Sequence, residues 1–135
     1  METLSIPTTR REQFVDVTAQ VRQALARSGV RDGLLLVHSP HTTAGVTINE
    51  NSDPDVPRDM LAWLRAAIPQ AGPTGDPFRH DEGNADAHLK ASLMGAGQTL
   101  PVRDGQLVLG TWQAVFLAEF DGPRTRTLHV QAVGR

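Results

Sequence analysis

Gly33-Leu34-Leu35-Leu36-Val37-His38-Ser39-Pro40-His41-Thr42-Thr43-Ala44-Gly45-Val46-Thr47-Ile48-Asn49 reads as two strands broken by a polar turn. Leu34 to Val37 is apolar at four successive positions, the pattern of a central strand covered on both faces. Pro40 cannot donate to a ladder, so His41 falls at a turn or bulge. Ala44 to Asn49 then resumes a strand with Val46 and Ile48 on one face. Gly45 permits close backbone approach, and Thr42 and Thr43 add hydroxyls beside the imidazole.

Working outward, Leu4 and Ile6 alternate with polar neighbours, as do the residues from Phe14 to Thr18, and both suit short strands. Thr18 is placed to cap a helix that puts Val21, Ala24 and Leu25 on one face and stops at Ser28-Gly29. Pro54-Asp55-Val56-Pro57 opens a second helix running to about Ile68. Its Val56, Met60, Trp63, Leu64, Ala67 and Ile68 form a stripe expected to pack on the sheet. Pro69 to Pro77 is irregular. Asn84 or Asp86 caps a third helix carrying Ala87, Leu89, Leu93 and Met94 and ending at Gly95. Thr99–Val102 and Gln106–Leu109 form a hairpin, Thr111–Phe120 a long strand turned by Asp121-Gly122-Pro123, and Thr125–Val133 a last strand. Strands mixed with two or three helices and closing in an antiparallel meander give a single α+β domain over residues 1–135. Helices cover part of the sheet system and leave strand surface for a partner subunit.

Composition narrows the function classes. With 13 basic and 15 acidic residues the formal charge is -2, without the basic excess of a nucleic-acid binder. No cysteine is present, so disulfides, thiolate metal sites and cysteine nucleophiles are excluded. Leu34 to Val37 is the longest apolar run, too short to cross a membrane. The N-terminus lacks a basic region followed by an apolar run, so a soluble cytoplasmic protein is expected. Hydrophobic content is 39%, a shortfall that self-association would make good.

Three histidines sit in polar segments read as loops: His41, and His80 and His88 in His80-Asp81-Glu82-Gly83-Asn84-Ala85-Asp86-Ala87-His88. Three imidazoles suffice for a divalent ion with coordination positions left open. Asp81, Glu82 and Asp86 are placed to orient ligating rings from behind. The alternatives are a histidine bonding a backbone carbonyl in a turn and a solvated acidic loop. His38 and His129 fall in strand patterns and are poorer candidates. Glu50, at a strand end, is a candidate general base, whereas Asp59 suits a favourable charge in the first turn of a helix. Trp112, between Thr111 and Gln113, suits either core or a pocket wall that stacks on a flat ring. Arg124, Arg126 and Lys90 are the candidates for phosphate, with solvated charge as the alternative.

The segments His41 to Asn51, Phe78-Arg79-His80-Asp81, Asn84 to Lys90, Leu109-Gly110-Thr111-Trp112-Gln113 and Asp121-Gly122-Pro123-Arg124 together resemble the YjbQ family, whose members are often named secondary thiamine-phosphate synthases. The resemblance runs from about residue 4 to residue 134. Phe78 stands where the family often has Tyr. The resemblance implies an α+β fold with a β-sandwich-like core, assembled as a homotrimer. It implies a divalent metal on His41, His80 and His88, zinc with magnesium as the alternative. It implies that a hydroxymethylpyrimidine pyrophosphate and a thiazole phosphate join with release of pyrophosphate. On this reading Glu50, Asp81 and Arg126 are catalytic, and Asn49, Lys90, Thr111, Trp112, Gln113 and Arg124 bind a small phosphorylated substrate. Three neutral imidazoles suit zinc better than magnesium, and a three-His zinc site more often activates water. A zinc-dependent hydrolase of a small phosphorylated or cyclic compound is therefore the rival enzyme. A non-catalytic trimeric metal- or ligand-binding protein is the rival without chemistry.

Overall fold

A computed structural model describes residues 1–135. Its elements in chain order are β1 Glu2–Pro7, β2 Gln13–Asp16, α1 Thr18–Ser28, β3 Gly33–His38, β4 Ala44–Glu50, α2 Asp55–Ala67, α3 Ala85–Met94, β5 Gly97–Arg103, β6 Gln106–Leu107, β7 Gln113–Glu119 and β8 Thr125–Gly134. One sheet has the strand order β1-β8-β3-β5-β6 and the other β2-β7-β4. All pairings are antiparallel. The fold is α+β, as the element order predicts. Leu35, Val37, Leu100, Leu128 and Val130 of the larger sheet share one core with Val46, Val115 and Leu117 of the smaller, so the sheets form a sandwich. Val21, Ala24 and Leu25 of α1 enter the same core.

Strand β3 is central in the larger sheet, but it is not covered on both faces. Leu35 and Val37 are buried, while Leu34 and Leu36 are exposed on the outside of the sandwich. The strand buried on both faces is β7, the middle of the smaller sheet. Its inner side chains Val115 and Leu117 face the sandwich core. Its outer Ala118, with Phe120 just beyond the strand, packs under Leu64 of α2 and Ala87 and Ala91 of α3. An apolar run cannot tell these cases apart, because the second face is supplied by another element.

The helices also turn differently from their apolar stripes. In α2 only Leu64 is fully buried, and Trp63 is 66% exposed. In α3 the buried side chains are Asp86, Ala87, Lys90 and Ala91, with Leu89 and Leu93 exposed. An ion cluster explains this rotation. Lys90 Nζ, 1% exposed, donates to Asp86 at 2.8 Å and to Glu12 at 2.9 Å, and Arg11 donates to the other side of Asp86 at 3.0 Å. Thr18 does not cap α1. Asp16 Oδ1 accepts its backbone N–H at 2.9 Å, and its hydroxyl accepts the N–H of Val115 at 2.9 Å. Gly45 fulfils its expected role, since a Cβ there would lie 2.6 Å from the carbonyl oxygen of Gly95 at the end of α3.

Candidate functional site

The turn from β3 to β4 is held from inside. Ser39 Oγ donates to the carbonyl of Ala44 at 2.8 Å and accepts the N–H of His41 at 3.3 Å. The N–H of Ser39 donates to Ala96 at 2.6 Å, fastening the turn to the segment after α3. His41 is thereby set against β8, and its Nε2 accepts the backbone N–H of Thr127 at 2.8 Å.

A polar cleft of about 320 Å³ opens beside this turn. Its walls include His41, Thr42 and Thr43 from the turn, Glu82, Asn84 and His88 around the start of α3, and Asp121, Arg124 and Arg126 around the β7–β8 connection. His88 also joins His41 in an adjoining hollow floored by Ala44 and Ala91. A third hollow shares His88 as a wall with Phe78, Arg79, His80 and Leu89.

Arg126 is 5% exposed and fixed in this wall. Its Nε donates to Glu119 Oε2 at 2.8 Å, and its Nη2 donates to Glu119 Oε1 and to Thr43 Oγ1, the latter at 2.9 Å. Glu119 also accepts from Thr8 Oγ1 at 2.9 Å and from the Asp121 N–H at 3.0 Å. Burial alone would push the Glu119 carboxyl up. The bonds from Arg126, the Asp121 backbone and Thr8 outweigh it and hold the pKa below the ordinary value. Arg126 Nη1 has no partner in the chain. Arg124 is more exposed. Its Nε donates to the Asp121 carbonyl at 2.7 Å and its Nη2 to the Asp121 carboxylate at 3.0 Å, leaving Nη1 free. Asn84 Nδ2 donates to the same carboxylate at 2.8 Å. Burial, and then the Arg126 cation, hold His41 below the usual histidine value against the opposing pull of Glu119.

Of the residues singled out in the sequence, the cleft gathers His41 with Thr42 and Thr43, Glu82, His88, Arg124 and Arg126. His80 stands behind His88, ring centroids 5.5 Å apart and edge to face, with its Nε2 3.6 Å from Glu82. Asp81 is exposed in the loop before Asn84. Lys90 is enclosed by carboxylates, so its ammonium has no face to offer a phosphate. Glu50, Asn49, Thr111, Trp112 and Gln113 cluster at the opposite end of the smaller sheet. Glu50 pairs with Gln113, Asn49 pairs with Ala114, and the N–H of Asn51 donates to the Trp112 carbonyl at 3.2 Å. Glu50 lies six steps along β4 from Ala44, about 20 Å of extended strand. Trp112 is 61% exposed, so it is not core, and within one chain it does not reach the histidines. Asp59 pairs with Arg58 at the surface. His38 and His129 stack on the outer sheet face, 6.3 Å between centroids.

A family model described as UPF0047 protein YjbQ-like matches residues 2–135. The chain belongs to the YjbQ-like UPF0047 family. It is 48% identical over 129 residues to the UPF0047 protein MJ1081 of Methanocaldococcus jannaschii, covering 96% of this chain and 91% of that protein. It is 46% identical over 134 residues to YugU of Bacillus subtilis, covering 99% of each. Among solved structures, a YjbQ/UPF0047 protein of Clostridium acetobutylicum superposes with a TM-score of 0.94 at 47% identity, covering 98% of this chain and all of that one. A YbjQ-like protein of unknown function from Sulfolobus solfataricus superposes with a TM-score of 0.91 at 35% identity, covering 99% of this chain and 96% of that one.

Within this YjbQ-like chain the three imidazoles do not present a common set of lone pairs. No three His, Asp or Glu groups are gathered at metal-holding distance. A neutral imidazole carries one ring lone pair, and that of His41 is engaged by the Thr127 N–H. As the chain stands, His41 does not fit a three-His ion site. The sequence reading also missed Glu119 and the parts that Asn84 and Asp121 play in the cleft. Glu119 had a signal, a lone carboxylate in the apolar run Ala114-Val115-Phe116-Leu117-Ala118-Glu119-Phe120. Such a group is buried only if it is paired. Asn84 and Asp121 had no such signal, because each reads locally as a cap or turn residue.

Proposed function

We propose that the YjbQ-like chain binds a small phosphorylated compound in the cleft between the His41 turn and the β7–β8 connection, and acts on it as an enzyme. One observation carries the reading: the unpaired guanidinium nitrogens of Arg124 and Arg126 belong to side chains lining the same cleft as His41. Guanidinium matches phosphate oxygens in geometry as well as charge. Arg126 arrives with its position already fixed by Glu119, so little of its freedom is lost on binding. The cleft volume suits a ligand of this size.

The finer reading is thiamine-phosphate synthase-like transfer. In it, the two arginines bind the pyrophosphate that leaves as the pyrimidine carbon develops positive charge. Ring stacking on Trp112 and proton acceptance by Glu50 then require those residues from a second copy of the chain. Self-association, expected as a homotrimer, has its own support. The outer face of the larger sheet presents Leu34 and Leu36 of β3, His129 and Val133 of β8, and Thr3 and Thr99 of the flanking strands. No Asp, Glu or Lys points outward on β1, β3 or β8. On β5 the same face carries Thr99 and Pro101, with one charge, Arg103, at the strand's end. In a chain with 21% charged residues, a sheet face so poor in charge is what a covered surface looks like. Zinc-dependent hydrolysis remains the second reading, supported by the close His80–His88 pair. It needs an ion site that does not depend on the His41 lone pair.

The test is turnover by the purified protein of hydroxymethylpyrimidine pyrophosphate with thiazole phosphate, beside a panel of phosphate esters, with metal removed and restored. Pyrophosphate release requiring both substrates supports the transferase. Ester hydrolysis that returns only with zinc supports the hydrolase. No turnover of any member refutes the enzymatic reading.

A further inference from the structure

We propose that His41 is locked as the Nδ1–H tautomer and serves the cleft as a neutral hydrogen-bond donor to an oxyanion, not as a ligand to a metal ion. The ligand class rests on the phosphate reading above, whereas the tautomer rests on the sheet. The β3–β8 ladder ends with His38 opposite His129. Two more residues would set the Pro40 carbonyl opposite the Thr127 N–H, but the chain turns away there and the pairing stops at His38. The Thr127 N–H therefore has no ladder acceptor on that side, and His41 Nε2 takes the acceptor's place at 2.8 Å. Unpaired buried backbone donors are costly, so this bond is part of the sheet's own satisfaction.

The proton count follows. With the Nε2 lone pair spent, a neutral ring carries its hydrogen on Nδ1. No group in the chain accepts from Nδ1, and His41 lines two adjoining hollows. Binding an ion through Nδ1 would require an imidazolate. Binding one through Nε2 would strip Thr127 of its acceptor. Donation costs neither. Arg124 and Arg126 then supply charge, while His41 supplies a fixed direction that selects where a phosphate oxygen sits. His88 lines the cleft with His41, and His80 packs edge to face against the His88 ring, 5.5 Å between centroids.

The experiment is long-range proton–nitrogen correlation of the imidazole rings in 15N-labelled, metal-free protein, with His41→Gln used to assign the His41 ring. The expected spectrum has an unprotonated Nε2 and a protonated Nδ1 for His41. Inorganic phosphate should shift Nδ1, and stoichiometric zinc should leave both His41 nitrogens where they are. A protonated Nε2 in the metal-free protein, or a metal-bound shift at either His41 nitrogen, would overturn the proposal. If phosphate binds nowhere in the cleft, the phosphate reading and the oxyanion half of the proposal fall together, while the tautomer spectrum still excludes or establishes His41 as a ligand. His41→Gln retains a carbonyl able to accept from Thr127, so it should melt closer to wild type than His41→Leu. The reverse order would contradict the strand-capping role.

Discussion

Arg126→Ala is expected to be mainly a stability variant, because Arg126 and Glu119 form a buried pair with side chains 5% and 0% exposed. Removing the guanidinium leaves Glu119, 0% exposed in the intact protein, with only Thr8 and the Asp121 N–H as protein donors. Breaking one side of such a pair costs about 3–5 kcal/mol. For a chain of this size that is a fall in melting temperature of about 10–18 °C. The double variant Glu119→Gln/Arg126→Met removes the stranded charge and should recover much of the loss. The pH dependence has a definite sign. Glu119 in the wild type is held below its unfolded value, so the pair's stabilisation is complete above the ordinary glutamate pKa of about 4.3 and is lost as pH falls through the lower folded value. In Arg126→Ala, burial dominates and raises that pKa, so the gap between the variant and wild type should narrow in acid. Scanning calorimetry at neutral pH and again below pH 4 measures both effects. An Arg126→Ala melting point within two or three degrees of wild type at neutral pH would refute the reasoning, as would a gap that widens in acid.

Lys90→Met should lower stability by about 3 kcal/mol, since Asp86 and Glu12 lose a shared buried cation and retain Arg11 and Arg65. Urea unfolding reads that loss, and pyrophosphate affinity of the folded fraction should not change. Leu36→Glu puts a charge into the middle of the outer sheet face, and the proposed self-association predicts an oligomeric wild type and a monomeric variant in light scattering at micromolar concentration. A wild type that is itself monomeric there would contradict the covered-face argument.

The fold was legible where the signal is local. The alternation in β1, the Pro40 break and the α1 face each follow from side chains and backbone preferences within a few residues. What was not legible depends on partners distant in sequence. The four apolar residues of β3 look the same whether or not another element covers their second face. The rotation of α3 is set by Glu12 and Arg11, some seventy-five residues earlier in the chain. The site divided in the same way. The polar turn pointed to His41, and the Asp-Gly-Pro turn to the arginines after it. That Glu50 and Trp112 lie at the other end of β4 follows from a seven-residue strand carrying the chain away from His41. The use of the His41 lone pair by Thr127 is a register effect that no local pattern carries.

The central claim is that the cleft beside His41 holds phosphate through Arg124 and Arg126. Calorimetric titration of the metal-free protein with inorganic pyrophosphate tests it most directly, with Arg124→Ala as the comparison, because Arg124 is exposed and its loss should leave the fold intact. The account predicts saturable binding to the wild type and an affinity loss of about tenfold or more in Arg124→Ala, the scale of a charge-assisted hydrogen bond. Absence of binding at millimolar pyrophosphate, or equal affinity in the two proteins, would contradict it.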